Sequence, residues 1–109
     1  MVAESVRFMS VLMTLRVSGS AEKLEAFAAA NGAAFQATAE PAKQYGLIRH
    51  RFYGDDSEVM VVDEWPDEES FHRFFQACPE IAGYMEAAGV TSEPVIKFWR
   101  PLETNDDIG

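Results

Sequence analysis

The sequence predicts an α+β fold with a ferredoxin-like β-α-β-β-α-β order: an antiparallel four-stranded sheet with both helical stretches on one face. Three observations predict it. Strand-forming runs with a period of two occur at both ends and as a central pair, with helical spacing of apolar residues between them. The central pair is joined by Gly54-Asp55-Asp56-Ser57, residue types that tolerate tight-turn backbone. The strand runs are also apolar on both faces, although the helices suffice to cover only one.

The first strand spans Phe8 to Val17, with Val11, Met13, Leu15 and Val17 on one face and Leu12, Thr14 and Arg16 on the other. Ser18-Gly19-Ser20 closes it, and Ser20 is a suitable N-cap for a helix beginning at Ala21. Leu24, Phe27, Ala28, Asn31 and Phe35 then recur at helical spacing. Asn31-Gly32 and Pro41 interrupt that stretch, because Gly costs about 1 kcal/mol and Pro about 3 kcal/mol in a helix interior. Two consecutive pieces or one kinked rod, ending before Gly46, are expected.

Leu47 to Tyr53 reads as the second strand and Glu58 to Trp65 as the third. A four-residue loop pairing Tyr53 with Glu58 sets Phe52 opposite Val59, His50 opposite Val61 and Ile48 opposite Asp63, with Trp65 continuing the same side. Asp67 is the expected N-cap of the second helical stretch, and Glu68 and Glu69 suit the positive end of its dipole. Phe71, Phe74, Phe75 and Cys78 form its apolar stripe. Pro79 starts a further piece carrying Ile81, Tyr84, Met85 and Ala88, and Gly89 stops it. The last strand runs from Pro94 to Arg100, and Glu103 to Gly109 forms an acidic, loose tail. The 109 residues are read as one domain with a core over residues 8–100. Because the strands are apolar on both faces, a second copy of the chain is the expected cover for the face the helices leave bare.

Composition narrows the functions. A hydrophobic share of 48% and a charged share of 25% belong to a folded chain and argue against disorder. The formal charge of −9 repels phosphate backbones and disfavours nucleic-acid binding. One cysteine, Cys78, makes no internal disulfide and fits a reducing compartment; with no secretory leader pattern at the start, a cytoplasmic protein is expected. No apolar run approaches the roughly 20 residues of a membrane span, so no membrane partner is expected. Glycine-rich phosphate loops and nucleophile elbows are absent, and His50 and His72 have no ligand-type spacing, so no metal site is expected.

Chemistry concentrates around two residues. Trp65 ends the third strand, where its ring either walls a cavity or simply fills core. His50, central in the second strand, is positioned on the Trp65 side either as a base or as a histidine satisfied by a partner such as Asp63. Arg49 and Arg51 point the other way, toward Glu64 or a dimer partner, and Arg16 is similar. His72 borders the second helical stripe, while Tyr45, Tyr53 and Tyr84 are further candidates to orient a phenolic ligand.

The string Glu64-Trp65-Pro66-Asp67-Glu68-Glu69-Ser70-Phe71 resembles the E-W-x-(D/S)-x-E-A-(F/L) segment of the antibiotic-biosynthesis-monooxygenase (ABM) type of dimeric α+β barrel. The element order over residues 8–100 agrees with that family. The resemblance implies a homodimer with facing sheets and one ligand cavity per subunit between sheet and helices. Family members include cofactor-independent oxygenases that turn polycyclic phenols into quinones, haem-degrading oxygenases, and proteins without a known activity. In the cofactor-free type the deprotonated substrate itself reduces oxygen, and the protein supplies a dry cavity and a proton acceptor. Trp65 matches the family's strand-three tryptophan, and His50 takes its strand-two polar position.

Departures from the family pattern are equally specific. Phe74 and Glu80 stand where many members carry helix histidines, Gln76 lies near the place of the axial haem histidine, and Ser10 and Thr14 lie near that of the strand-one asparagine. Haem is therefore disfavoured and no cofactor is expected. Val61 or Val62 replaces the asparagine of the phenol-oxidising branch. The expectation is a cofactor-independent monooxygenase-like protein acting on a small aromatic or quinol-type compound. His50 and Trp65 would carry the catalysis, and Phe27, Phe35, Phe71, Phe75 and His72 would form the substrate surround. The alternatives are a non-catalytic dimeric ligand-binding or stress-response module of the same fold, or a structural homodimer whose cavity those phenylalanines fill.

Overall fold

The computed structural model describes residues 10–87 and 89–108, less the side chains of residues 84 and 87. In chain order the elements are β1 (Val11–Ser18), α1 (Ala21–Ala30), α2 (Gly32–Gln44), β2 (Arg49–Gly54), β3 (Glu58–Trp65), α3 (Glu68–Ala77), α4 (Glu80–Ala87) and β4 (Val95–Trp99). The strands form a 4-stranded sheet ordered β2-β3-β1-β4, antiparallel at every junction. This is the ferredoxin-like α+β arrangement the sequence predicts. Of the expected first strand, Phe8 and Met9 lie outside the described residues.

Alternation along the strands divides the sheet. Met13, Leu15 and Val17 of β1 and Val59, Asp63 and Trp65 of β3 are buried on one face, where Phe71, Phe74 and Cys78 of the α3 region and Ala42 of α2 complete the core. Burying each large side chain of this set is worth about 1.5–3 kcal/mol. The other face carries Leu12, Tyr53, Val95 and Trp99, all exposed.

The helix ends follow their side chains. The Ser20 hydroxyl accepts the Lys23 N–H at 3.1 Å and starts α1. Asn31 stops it, its backbone at φ −130° and its Nδ2 donating to the Phe27 carbonyl at 2.9 Å. Only one of the two expected interruptions occurs. Pro41 sits inside α2 without breaking it: the missing N–H costs one backbone bond, and the helix continues to Gln44. Gly46, at φ +105°, turns the chain toward β2 (Ile48 N–H donates to the Glu64 carbonyl at 2.9 Å), and a Cβ there would come within 2.9 Å of Pro66 Cγ.

The β2–β3 hairpin departs from the expected register. Asp55 N–H donates to the Glu58 carbonyl at 2.9 Å, and the Asp55 carboxylate accepts from the Ser57 and Glu58 amides, each at 2.9 Å. Those bonds pull Asp55 and Glu58 into the pairing and leave Asp56-Ser57 as the tip. Gly54 therefore faces Val59, Phe52 faces Val61 and His50 faces Asp63. The shift is two residues, so every side chain keeps its expected face.

Asp67 caps α3 as expected, its carboxylate accepting from the Ser70 amide at 2.8 Å and the Ser70 hydroxyl at 2.7 Å. Gly89, at φ +76°, follows α4, and Val90 N–H closes back on the Met85 carbonyl at 3.1 Å.

Candidate active site

The core does not close completely. Between the helix-facing side of the sheet and the helices lies a cavity of about 150 Å³. Its interior walls include Met13, Trp65, Phe71 and Phe74, all buried. The exposed residues of its lining, His50 and Phe52, both belong to β2, so the cavity opens along that edge. Across the opening, the Phe35 ring of α2 stands 6.1 Å from the Phe52 ring.

Three polar side chains reach this lining: Thr38, His50 and Asp63. The Thr38 hydroxyl donates to the Ala34 carbonyl at 3.0 Å, as helix-borne threonines do. Asp63 is the unusual one, a carboxylate at 5% exposure on a strand face otherwise occupied by Val59, Val61 and Trp65. Burying such a charge is costly unless its oxygens are engaged. Sheet geometry engages both. His50 lies directly opposite Asp63 across the β2–β3 pair, and His50 Nδ1 is 2.7 Å from Asp63 Oδ1. Trp65 lies two residues further along the same face, and its Nε1–H donates to Asp63 Oδ2 at 3.2 Å. Indole nitrogen is donor-only and an ionised carboxylate acceptor-only, so an ionised Asp63 takes the Nδ1 proton of His50 as a hydrogen bond, and in the neutral imidazole Nε2 is then the ring's acceptor.

Aromatic packing fixes the rest. The Trp65 ring meets Phe71 edge-on at 5.8 Å and lies tilted against Phe74 at 5.7 Å. Contacts of this kind add about 0.5–1.5 kcal/mol each beyond burial. His50 is 37% exposed at the rim, its ring edge-on to Phe52 at 5.0 Å.

Of the residues singled out in the sequence, the structure brings His50, Trp65, Phe35 and Phe71 to the cavity. Phe27, Phe75 and His72 fall outside its lining. Phe27 backs Phe35 at 5.7 Å, and Phe75 stacks on Phe71 at 5.3 Å. His72 is exposed, its ring 5.5 Å from both Phe71 and Phe98. The reason is angular: His72 lies about 100° round the helix from Phe71 and turns to solvent, while Phe75 and Phe74 flank Phe71 on opposite sides, Phe74 toward the cavity and Phe75 against the core beside it. Phe35 and Phe71 wall the cavity rather than filling it. Arg49 and Arg51 lie on the opposite face as expected, and Arg49 Nε is 3.6 Å from Glu64 Oε1. Tyr45 packs on Phe74 at 5.8 Å, Tyr53 is on the opposite face, and the Tyr84 side chain is outside the described residues. Sequence reasoning missed Met13, Leu47, Phe74 and Met85 as cavity wall. Their signal was present only as core periodicity. Among the described residues no cluster of three His, Cys, Asp or Glu side chains could hold a metal ion.

No family model matches the chain, and no curated protein does. Solved structures do. The chain is similar to SnoaB, a cofactor-independent oxygenase from Streptomyces nogalater, at 19% identity and TM-score 0.58, covering 91% of this chain and 99% of that one. It is similar to the monooxygenase of the ActVA-Orf6 gene of Streptomyces coelicolor, solved with the ligand nanaomycin D, at 20% identity and TM-score 0.56, covering 94% and 95%. A dimeric ferredoxin-like protein from an uncultured marine organism aligns at 12% identity and TM-score 0.64, covering 97% and 99%. The structural neighbours are thus ferredoxin-like proteins, monooxygenases of the antibiotic-biosynthesis type among them, and the chain shares their fold.

Proposed function

We propose that this protein is a cofactor-independent monooxygenase-like enzyme that oxidises a small aromatic or quinol-type compound in the β2-edge cavity. One observation carries the reading: an apolar cavity whose rim bears a histidine fixed through Nδ1 by a buried carboxylate, which the cavity's own tryptophan fixes in turn. In this reading Nε2 of His50 takes the proton from an acidic hydroxyl or activated C–H of the ligand, and Asp63 stabilises the imidazolium that results. The carbanion or phenolate left behind is electron-rich and is held away from water. It reduces O₂ directly: one oxygen atom enters the substrate as a carbonyl in place of two hydrogens, those hydrogens leave with the other atom as water, and the substrate supplies all the electrons. The names given to the structural neighbours, a cofactor-independent oxygenase and a monooxygenase in complex with nanaomycin D, support the same class.

The protein also acts, in this reading, as a homodimer, as the dimeric neighbour suggests, and the exposed apolar residues Leu12, Val95 and Trp99 make their sheet face the surface that joins the copies. A second reading, a non-catalytic ligand-binding dimer, is favoured by valine at both positions, Val61 and Val62, where the phenol-oxidising pattern could place its asparagine; Val61 lines the cavity. Oxygen uptake separates the two. Purified protein offered small phenols, hydroquinones and anthrones should consume oxygen with at least one of them, and His50→Ala should lower that rate at least 100-fold, the scale of a lost general base (~10²–10⁴). No uptake with any compound, or an unchanged rate in His50→Ala, removes the enzymatic reading and leaves the binding module.

A further inference from the structure

We propose that the ligand of this cavity is a single-ring phenol with its hydroxyl at one end and a hydrocarbon body, held hydroxyl-outward at His50. This deepens the reading above and rests on it for the identity of the site.

Size comes first. A cavity of about 150 Å³ is the size of an apolar cavity that takes up benzene. A fused three-ring compound does not fit such a space, whereas one ring with a short alkyl chain reaching along the lining does.

The distribution of polar atoms then orients it. Asp63 engages one oxygen with His50 and the other with Trp65, and the Thr38 hydroxyl donates to the Ala34 carbonyl. Among the described residues, no hydrogen bond engages Nε2 of His50. That ring nitrogen can meet a ligand hydroxyl, and it sits at the rim, on the exposed strand β2. Deeper in, the walls include Met13, Leu15, Phe71, Phe74, Ile81 and Met85, whose side chains offer nothing stronger than a weak thioether acceptor. A ligand hydroxyl at the rim meets Nε2. A second hydroxyl at the far end would be stripped of water against hydrocarbon and weaken binding about ten-fold or more.

The test is calorimetric titration of the wild-type protein without oxygen, using four probes: 4-propylphenol, propylbenzene, 4-(3-hydroxypropyl)phenol and the three-ring 1,8-dihydroxyanthrone. 4-Propylphenol should bind one-to-one. Propylbenzene should bind at least five-fold more weakly, and the inner-hydroxyl phenol and the anthrone at least ten-fold more weakly. His50→Ala, checked for folding by circular dichroism, should erase the phenol's advantage over propylbenzene. The proposal is overturned if the anthrone or the inner-hydroxyl phenol binds as tightly as 4-propylphenol, or if no probe binds. Failure of the catalytic reading is a separate outcome. Binding in the expected order without oxygen uptake sinks catalysis and keeps the ligand class, while His50-dependent oxidation of the anthrone does the reverse.

Discussion

Asp63 decides the character of the site. It sits at 5% exposure with one donor on each oxygen, so replacing it strands two donors rather than one acceptor. Asp63→Ala should cost roughly 2–3 kcal/mol, since an unpaired buried group forfeits its full desolvation, and should lower Tm by about 10 °C or more in a chain of this size. Trp65→Phe, which keeps a ring but deletes the indole N–H, should lose less from this network. Thermal unfolding followed by circular dichroism reads both. A spectroscopic readout isolates the positioning role: the chain has 2 histidines, so long-range ¹H–¹⁵N spectra resolve His50 with the exposed His72 as internal reference. At pH 8.5 wild-type His50 should show the Nδ1–H tautomer, and Asp63→Ala should show a mixture. An unchanged pattern would mean that Asp63 does not orient the ring. The shared face of Val59, Val61, Asp63 and Trp65 was legible from the period of two, and Asp63 was visible as a candidate partner for His50. That it sits directly opposite His50 and engages Trp65 as well was not, because that depends on cross-strand register.

Cross-strand register in the hairpin depends on which turn its four loop residues adopt. Four consecutive turn-forming residues, Gly54 to Ser57, make a two-residue tip and a four-residue loop equally plausible. The Asp55 carboxylate, by collecting the Ser57 and Glu58 amides, selects the shorter one. Those same bonds hold the Asp55 carboxyl below its ordinary range. Helix starts were more legible, because capping is local. Bonds from the Ser70 hydroxyl, then the Ser70 amide, likewise depress the Asp67 carboxyl. A depressed carboxylate stabilises the fold above its unfolded pKa, and this is lost as pH falls through the folded value. Asp67→Ala should therefore lower Tm at pH 7, and the gap to wild type should close below about pH 4. A gap of the same size at pH 3 would refute the cap's electrostatic contribution. At the α3–α4 junction the sign reverses. Burial first, then the Glu80 carboxylate 3.0 Å from Sγ, pushes the Cys78 thiol up to about 11. Its contribution is complete below the ordinary thiol pKa and is lost as pH rises from there through the folded value of about 11. In the native protein at pH 8, Cys78 should react with a disulfide reagent about 100-fold or more slower than in guanidinium, from its thiolate fraction alone. Comparable rates would show that the junction does not shield it.

For the whole molecule, the open question is what covers the second sheet face. The expectation from alternation was a second greasy face, and it is mixed. Leu12, Val95 and Trp99 lie exposed beside Met60 and Val62, but Arg16 pairs with Glu58 at 3.3 Å, Arg49 with Glu64 at 3.6 Å, and Lys97 stands over the Trp99 ring at 4.8 Å. Apolar residues bordered by paired charges are the anatomy of a protein interface, whose rim stays polar while its centre excludes water. Two chains of formal charge −9 nevertheless repel each other, so association must come from that apolar patch and should strengthen, not weaken, when salt screens the repulsion. At about 10 µM the protein should sediment as a dimer, and more completely so at 0.5 M than at 0.05 M salt. Leu12→Glu with Trp99→Glu should yield a monomer of unchanged secondary structure, because neither side chain enters the helix-facing core. Of the 2 tryptophans, Trp65 is buried whatever the assembly, so on dilution any red shift in emission reports Trp99 leaving an interface. A wild-type chain that sediments as a monomer at both salt concentrations, with Trp99 already fully solvated, would leave this face as open surface. The β2-edge cavity would then have to serve its ligand within a single subunit.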